Sequence, residues 1–149
     1  LAQQDHFWHL RETIPPAQTK DGGSIKHDIA VPVDTIPDFI KRADEAVYKI
    51  LPQAKIVNFG HMGDGNLHYN IGQPNHMTQD TFKAHTNDIH EAVYELVHSL
   101  NGTFSAEHGI GLIKRNQLKK YKNKIELDLM RTIKQAIDPK QIMNPGKIL

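Results

Sequence analysis

The apolar pattern opens with a helix. Phe7, Leu10 and Ile14 are spaced to share one face over residues 1–14. Pro15-Pro16 is expected to stop that helix, since proline lacks the N–H that the next turn needs. Trp8 is expected in the core. Asp21-Gly22-Gly23 is turn chemistry. Residues 24–31 then alternate, with Ile25, Ile29 and Val31 on one side and Lys26, Asp28 and Ala30 on the other, which predicts a half-buried strand. Asp34 or Thr35 is placed to cap a helix with Pro37 in its first turn. Its stripe is Phe39, Ala43, Ala46, Val47 and Ile50, and Pro52 ends it.

Residues 54–60 and 66–71 read as short strands around a glycine-rich turn. A long helix is expected over about 78–100, with Phe82, Ile89, Val93, Leu96, Val97 and Leu100 as its stripe and Asn101-Gly102 as its stop. Residues 103–106 are a candidate fourth strand, 112–122 a basic helix, and 124–137 a last helix carrying Leu127, Met130, Ile133 and Ile137. From residue 24 the order is strand, helix, strand, strand, helix, strand. This predicts an α+β fold: a ferredoxin-like antiparallel sheet with helices on one face, plus a helical C-terminal extension. Residues 1–149 are expected to form a single unit.

Composition narrows the function classes. The net charge is +1, so the overall balance favours neither nucleic acid nor an acidic membrane as partner. No apolar run approaches the ~20 residues of a membrane span. The absence of Cys excludes disulfides, thiolate metal sites and thiol nucleophiles. Ten His in 149 residues stand out, and a transition-metal site here must use imidazole and carboxylate. The chain starts Leu1-Ala2-Gln3 inside a helical pattern, so it is expected to be a fragment or processed product.

The sharpest motif is Gly60-His61-Met62-Gly63-Asp64-Gly65-Asn66-Leu67-His68-Tyr69-Asn70. With Asp64-Gly65 at the centre of a two-residue turn, His61 and His68 stand directly opposite; with Gly65-Asn66 they are diagonal neighbours. Any even-length loop keeps both on one face, where they can share a metal ion. Lys26 and Asn70 point to the same face, the one the helices leave open. Incidental surface histidines are the plainer alternative. A second motif, Ser105-Ala106-Glu107-His108-Gly109-Ile110-Gly111, offers a ligand beside a base or merely a surface loop. Glu91, Glu95 and His98, and the basic cluster at 114–124, read as solvated helix faces.

Residues 60–70, 105–111 and 138–149 (DPKQIMNPGKIL), with Phe7-Trp8-His9-Leu10-Arg11-Glu12 and Ser24-Ile25-Lys26-His27-Asp28, together resemble the C-terminal part of the FAD-linked oxidases of the vanillyl-alcohol-oxidase type. That family includes D-2-hydroxyglutarate dehydrogenase, D-lactate dehydrogenase and the glycolate oxidase flavin subunit, and the first branch is the most similar. The resemblance implies the last part of a cap domain, with the FAD-binding domain absent from this chain. It implies His61, His68 and Glu107 as ligands of a divalent metal, zinc by preference, His108 as base, and Arg11, Lys26 and Asn70 as substrate-binding residues. The implied reaction oxidises a D-2-hydroxy acid to the 2-oxo acid. Pro15 departs from the 2-hydroxyglutarate branch, which tends to carry a hydroxyl residue there.

The partners so implied are a small 2-hydroxy acid and the FAD-binding domain of the same polypeptide, with a homodimer left open. The compartment would be cytoplasmic in a bacterium and mitochondrial in a eukaryote. A metal-dependent hydrolase and a non-catalytic ferredoxin-like interaction module are the competing readings.

Overall fold

The structure is a computed structural model describing residues 2–149; Leu1, the first residue of the expected opening helix, lies outside the described residues. The chain holds two compact units, one up to Glu107 and one over His108–Leu149.

Helix α1 (Ala2–Lys20) runs on through Pro15-Pro16 instead of stopping there. The two prolines withhold the N–H groups due to the carbonyls four residues back. No residue of α1 is buried, so those carbonyls lie on a helix that water reaches, which removes most of the penalty. The expected core residue Trp8 is 53% exposed for the same reason.

The sheet contains β1 (Ser24–Ile25), β2 (Asp28–Ala30), β3 (Lys55–His61) and β4 (Asn66–Gly72). Central β4 pairs antiparallel with β3 on one side and with β1 and β2 on the other. Ile25 faces Ile71 and Asp28 faces His68, so β1 and β2 keep a single register and form the one expected strand. Its ladder is interrupted at Lys26-His27, where the Asn70 side-chain oxygen accepts the His27 N–H at 3.3 Å. The candidate fourth strand shrinks to a bridge: Ala30 and Thr103 exchange N–H···O bonds of 2.9 and 2.8 Å. The spatial order is that of a split βαβ sandwich.

After a 3₁₀ turn at Val33–Thr35, α2 (Ile36–Ile50) buries Phe39, Ala43 and Val47. The long helix expected over 78–100 is divided at His85 into α3 (Gln79–Ala84) and α4 (Thr86–Ser99). His85 N–H turns back to Phe82 O, only three residues away, tightening the backbone there. Helix α4 buries Ile89, Val93, Tyr94, Leu96 and Val97. Tyr69 of β4 meets the Phe39 ring edge-on and donates its hydroxyl to Asp44 at 2.8 Å. Burial, with the Asp44 carboxylate second, pushes the Tyr69 phenol above its ordinary range. His27 is also buried here. Its Nδ1 lies 2.8 Å from Tyr69 O and its Nε2 2.9 Å from His90 Nδ1 on α4.

The second unit holds α5 (Arg115–Tyr121) and α6 (Lys124–Ile137). Of the expected α6 stripe only Leu127 is buried, while Ile133 and Ile137 are exposed. Just past α6, the Asp138 carboxylate accepts N–H groups from Ile142 and Met143 at 3.0 Å and is bonded by Lys134 Nζ. The Lys134 bond, followed by those backbone donors, holds this carboxyl below its ordinary range. No helix among the described residues is long and apolar enough to cross a membrane.

Candidate functional site

The His-bearing hairpin closes through a longer loop than the two-residue turn expected for it. His61 pairs with Asn66 and Phe59 with His68, leaving residues 62–65 as a four-residue loop. A type I′ turn needs positive φ at both central residues, and Gly65 (φ 76°) has it while Asp64 does not. Asp64 instead turns its carboxylate to accept the Asn66 N–H at 3.0 Å, and both Asp64 and Gly65 N–H point at His61 O. The loop is still even in length. His61 and His68 therefore remain on one face, as diagonal neighbours rather than directly opposite.

Glu107 closes the group. The segment carrying it runs beside β2, where Ala106 N–H donates to Asp28 O at 3.2 Å and Glu107 N–H to Asp28 Oδ2 at 2.9 Å. Its side chain then reaches both imidazoles: Oε2 lies 3.2 Å from His68 Nε2 and Oε1 3.7 Å from His61 Nδ1. His61 also sits 3.6 Å from Asp64 Oδ2. One donor atom from each of Asp28, His68 and Glu107 lies within 4.8 Å of the others. In tetrahedral coordination at ~2.0–2.1 Å, ligand atoms stand roughly 3.3–3.4 Å apart. The His–Glu separations bracket that spacing, and imidazole with carboxylate suits a borderline-soft divalent ion such as zinc.

Asn70, Lys26 and Arg11 are disposed differently. Asn70 is buried and its amide is engaged, accepting from His27 N–H and donating to Gln18 of α1 at 2.9 Å. The sheet face expected to be open is therefore crossed by α1 at this point. Lys26 is exposed at the break between β1 and β2, and lines a cavity of about 290 Å³ with Ser24, Lys83, Thr86 and His90. Arg11 lies on α1 with its guanidinium over the Trp8 ring, 5.7 Å from the centroid. His108 is the first residue of the second unit. A cavity of about 730 Å³ lies in that unit beside Arg131, Gln135 and Lys147, and contains none of the hairpin donors.

Sequence reasoning passed over Asp28. The signal was present, because strand alternation put it on the same side as Lys26. Only the register, with Asp28 facing His68, shows that it belongs to the group.

The family described as FAD linked oxidases, C-terminal domain, matches residues 1–148. The chain is 41% identical over 146 residues to D-2-hydroxyglutarate dehydrogenase of Stutzerimonas stutzeri, a match covering 98% of this chain and 31% of that protein. It is 39% identical over 143 residues to the mitochondrial D-2-hydroxyglutarate dehydrogenase of Danio rerio, covering 96% and 26% respectively. Against the mitochondrial enzyme of Arabidopsis thaliana the identity is 36% over 154 residues, covering 100% and 25%. The chain thus spans between a quarter and a third of the length of these relatives.

Proposed function

The chain belongs to the family of C-terminal domains of FAD-linked oxidases, and on that premise we propose that it is the substrate- and metal-binding part of a flavin-dependent dehydrogenase acting on a D-2-hydroxy acid, 2-hydroxyglutarate or a close analogue. The observation that carries the proposal is the convergence of His61 and His68 on the two oxygens of Glu107. The names of the relatives support the substrate class.

On this reading His61 Nδ1, His68 Nε2 and the Glu107 carboxylate hold the divalent ion, and FAD is held by another part of the longer polypeptide. When bound, the ion polarises the hydroxyl and carboxylate oxygens of the substrate and the flavin accepts hydride from C2. His108 removes the hydroxyl proton, which balances the departing hydride. Arg11 and Lys26 neutralise substrate carboxylates, Arg11 through its planar fork. Asn70 orients the substrate with the lone pair and N–H that its two structural bonds leave over.

The test is zinc titration of the metal-free wild-type protein against His68→Ala, followed by turnover of D-2-hydroxyglutarate by the full-length, FAD-loaded enzyme. Loss of high-affinity zinc binding in His68→Ala, and of turnover with it, is expected. Equal zinc affinity in the two proteins removes His68 from the site and overturns the reading. His108→Ala is expected to keep its zinc and to lose ~10²–10⁴-fold in kcat.

A further inference from the structure

We infer that Asp28, a residue outside the ligand set just proposed, is the positioning residue of the site: its buried carboxylate fixes Glu107 against His68 and adds negative charge behind the ligands. The inference rests on the metal reading above for its purpose, but its geometry stands independently. Asp28 is 3% exposed. Its Oδ2 accepts the Glu107 N–H at 2.9 Å, and its Oδ1 accepts the Asn66 Nδ2–H at 3.1 Å. Asn66 also donates to Ile29 O at 3.2 Å, and its own N–H is tied to Asp64. One carboxylate thus joins the end of the hairpin where Asn66 pairs with His61 to the segment that carries Glu107, and it does so from the strand position facing His68.

Asp28 does more than pack. First, the Glu107 segment is attached to the sheet edge by the Ala30–Thr103 bridge and the Ala106 bond, a short ladder that leaves a terminal residue free to fray. A hydrogen bond from the Glu107 N–H to a charged acceptor is worth more than a neutral one, and it acts at the residue whose side chain must be aimed. Second, Asp28 brings a carboxylate to the group from behind the hairpin strand. Its charge lies within 4.8 Å of the His68 and Glu107 donor atoms, where it favours a cation.

The test uses two variants of the full-length protein and a control. Asp28→Ala removes both anchor and charge. Asp28→Asn removes the charge but keeps an acceptor oxygen for the Glu107 N–H. Val93→Ala, in the core of α4, serves as the control because it destabilises without touching the site. The readouts are zinc affinity by calorimetry and hydrogen exchange of the Glu107 amide in metal-free protein. Asp28→Ala is expected to weaken zinc binding by about 10–100-fold, the usual effect of losing a partner that orients a ligand, and to abolish Glu107 amide protection. Asp28→Asn is expected to keep that protection and still weaken zinc.

Zinc affinity within twofold of wild type in Asp28→Ala, or equal weakening in Val93→Ala, overturns the inference. If Asp28→Ala does not fold, Asp28→Asn decides by the same zinc criterion. If wild type itself binds no zinc, the metal reading fails separately. The Glu107 amide then decides: protection lost only without Asp28 supports the clamp, and unchanged exchange refutes it.

Discussion

Replacing Gly65 by alanine puts a methyl carbon 2.0 Å from Val31 O and 3.2 Å from Val31 C, on a residue whose φ is 76°. The left-handed backbone alone costs a side-chain-bearing residue roughly 1–2 kcal/mol. An ordinary carbon–oxygen contact is longer than 3 Å, so the loop must also withdraw by about an ångström. That breaks the bond from Val31 N–H to Gly65 O, 3.2 Å long and next to a buried valine, for a further ~1–3 kcal/mol if the donor finds no water. The sum is about 2–5 kcal/mol, a large share of the ~5–15 kcal/mol of a typical domain. Gly63, two residues earlier in the same loop, has nothing within 4 Å of its would-be Cβ and no positive φ. Gly63→Ala should therefore stay within about 0.5 kcal/mol of wild type. Urea unfolding of both variants, compared at constant slope, measures the difference. A Gly65→Ala midpoint matching wild type, or equal losses in the two variants, would refute the argument that this loop is pinned at Gly65 alone.

Two further outcomes concern titration. Tyr69→Phe should cost about 0.5–1.5 kcal/mol, since Asp44 is half-buried and regains water. In wild type the raised Tyr69 value means its stabilising contribution is complete below the ordinary tyrosine pKa near 10 and lost as pH climbs above it. Spectrophotometric titration should show one phenol ionising only as the fold opens, and a full tyrosine complement titrating together in native protein would contradict this. Asp138 has the opposite sign: its depressed value gives stability that is present above the ordinary aspartate range and lost as pH falls through the folded value. Asp138→Asn should flatten the acid limb of unfolding of the second unit, and an unchanged limb would contradict it.

The order of elements from residue 24 was legible because hydrophobic period switches cleanly between two and 3.6, and β4 shows it best, with Leu67, Tyr69 and Ile71 buried. The pairing of His61 and His68 on one face was legible too, since only the parity of the loop mattered. Their diagonal offset was not, because it depends on the Asp64 side chain competing for the Asn66 N–H. The passage of α1 through two prolines was hidden because the rule against them assumes a helix whose carbonyls are out of water's reach. His27 and His90 could have been found. His27 shares its alternation with Ile25 and Ile29, and His90 lies between Ile89 and Val93 on the buried side of α4. A histidine in step with a core pattern is carried inward and needs a hydrogen-bond partner there.

That pair of imidazoles also constrains how the layers fit together. Tyr69 O can only accept, so the His27 proton facing it sits on Nδ1; with the ring neutral, Nε2 is then an acceptor and His90 must donate from Nδ1. The contact thus has a direction, running from α4 through the core to the central strand. Apolar side chains alone tolerate a helix displaced by one turn, about 5.4 Å along its axis. This contact does not, because such a slip would part His90 from a ring nitrogen of a residue only 1% exposed, at a cost of ~1–3 kcal/mol. The two histidines therefore act as an indexing pin, discriminating the native seating of α4 on the sheet from one displaced by a turn.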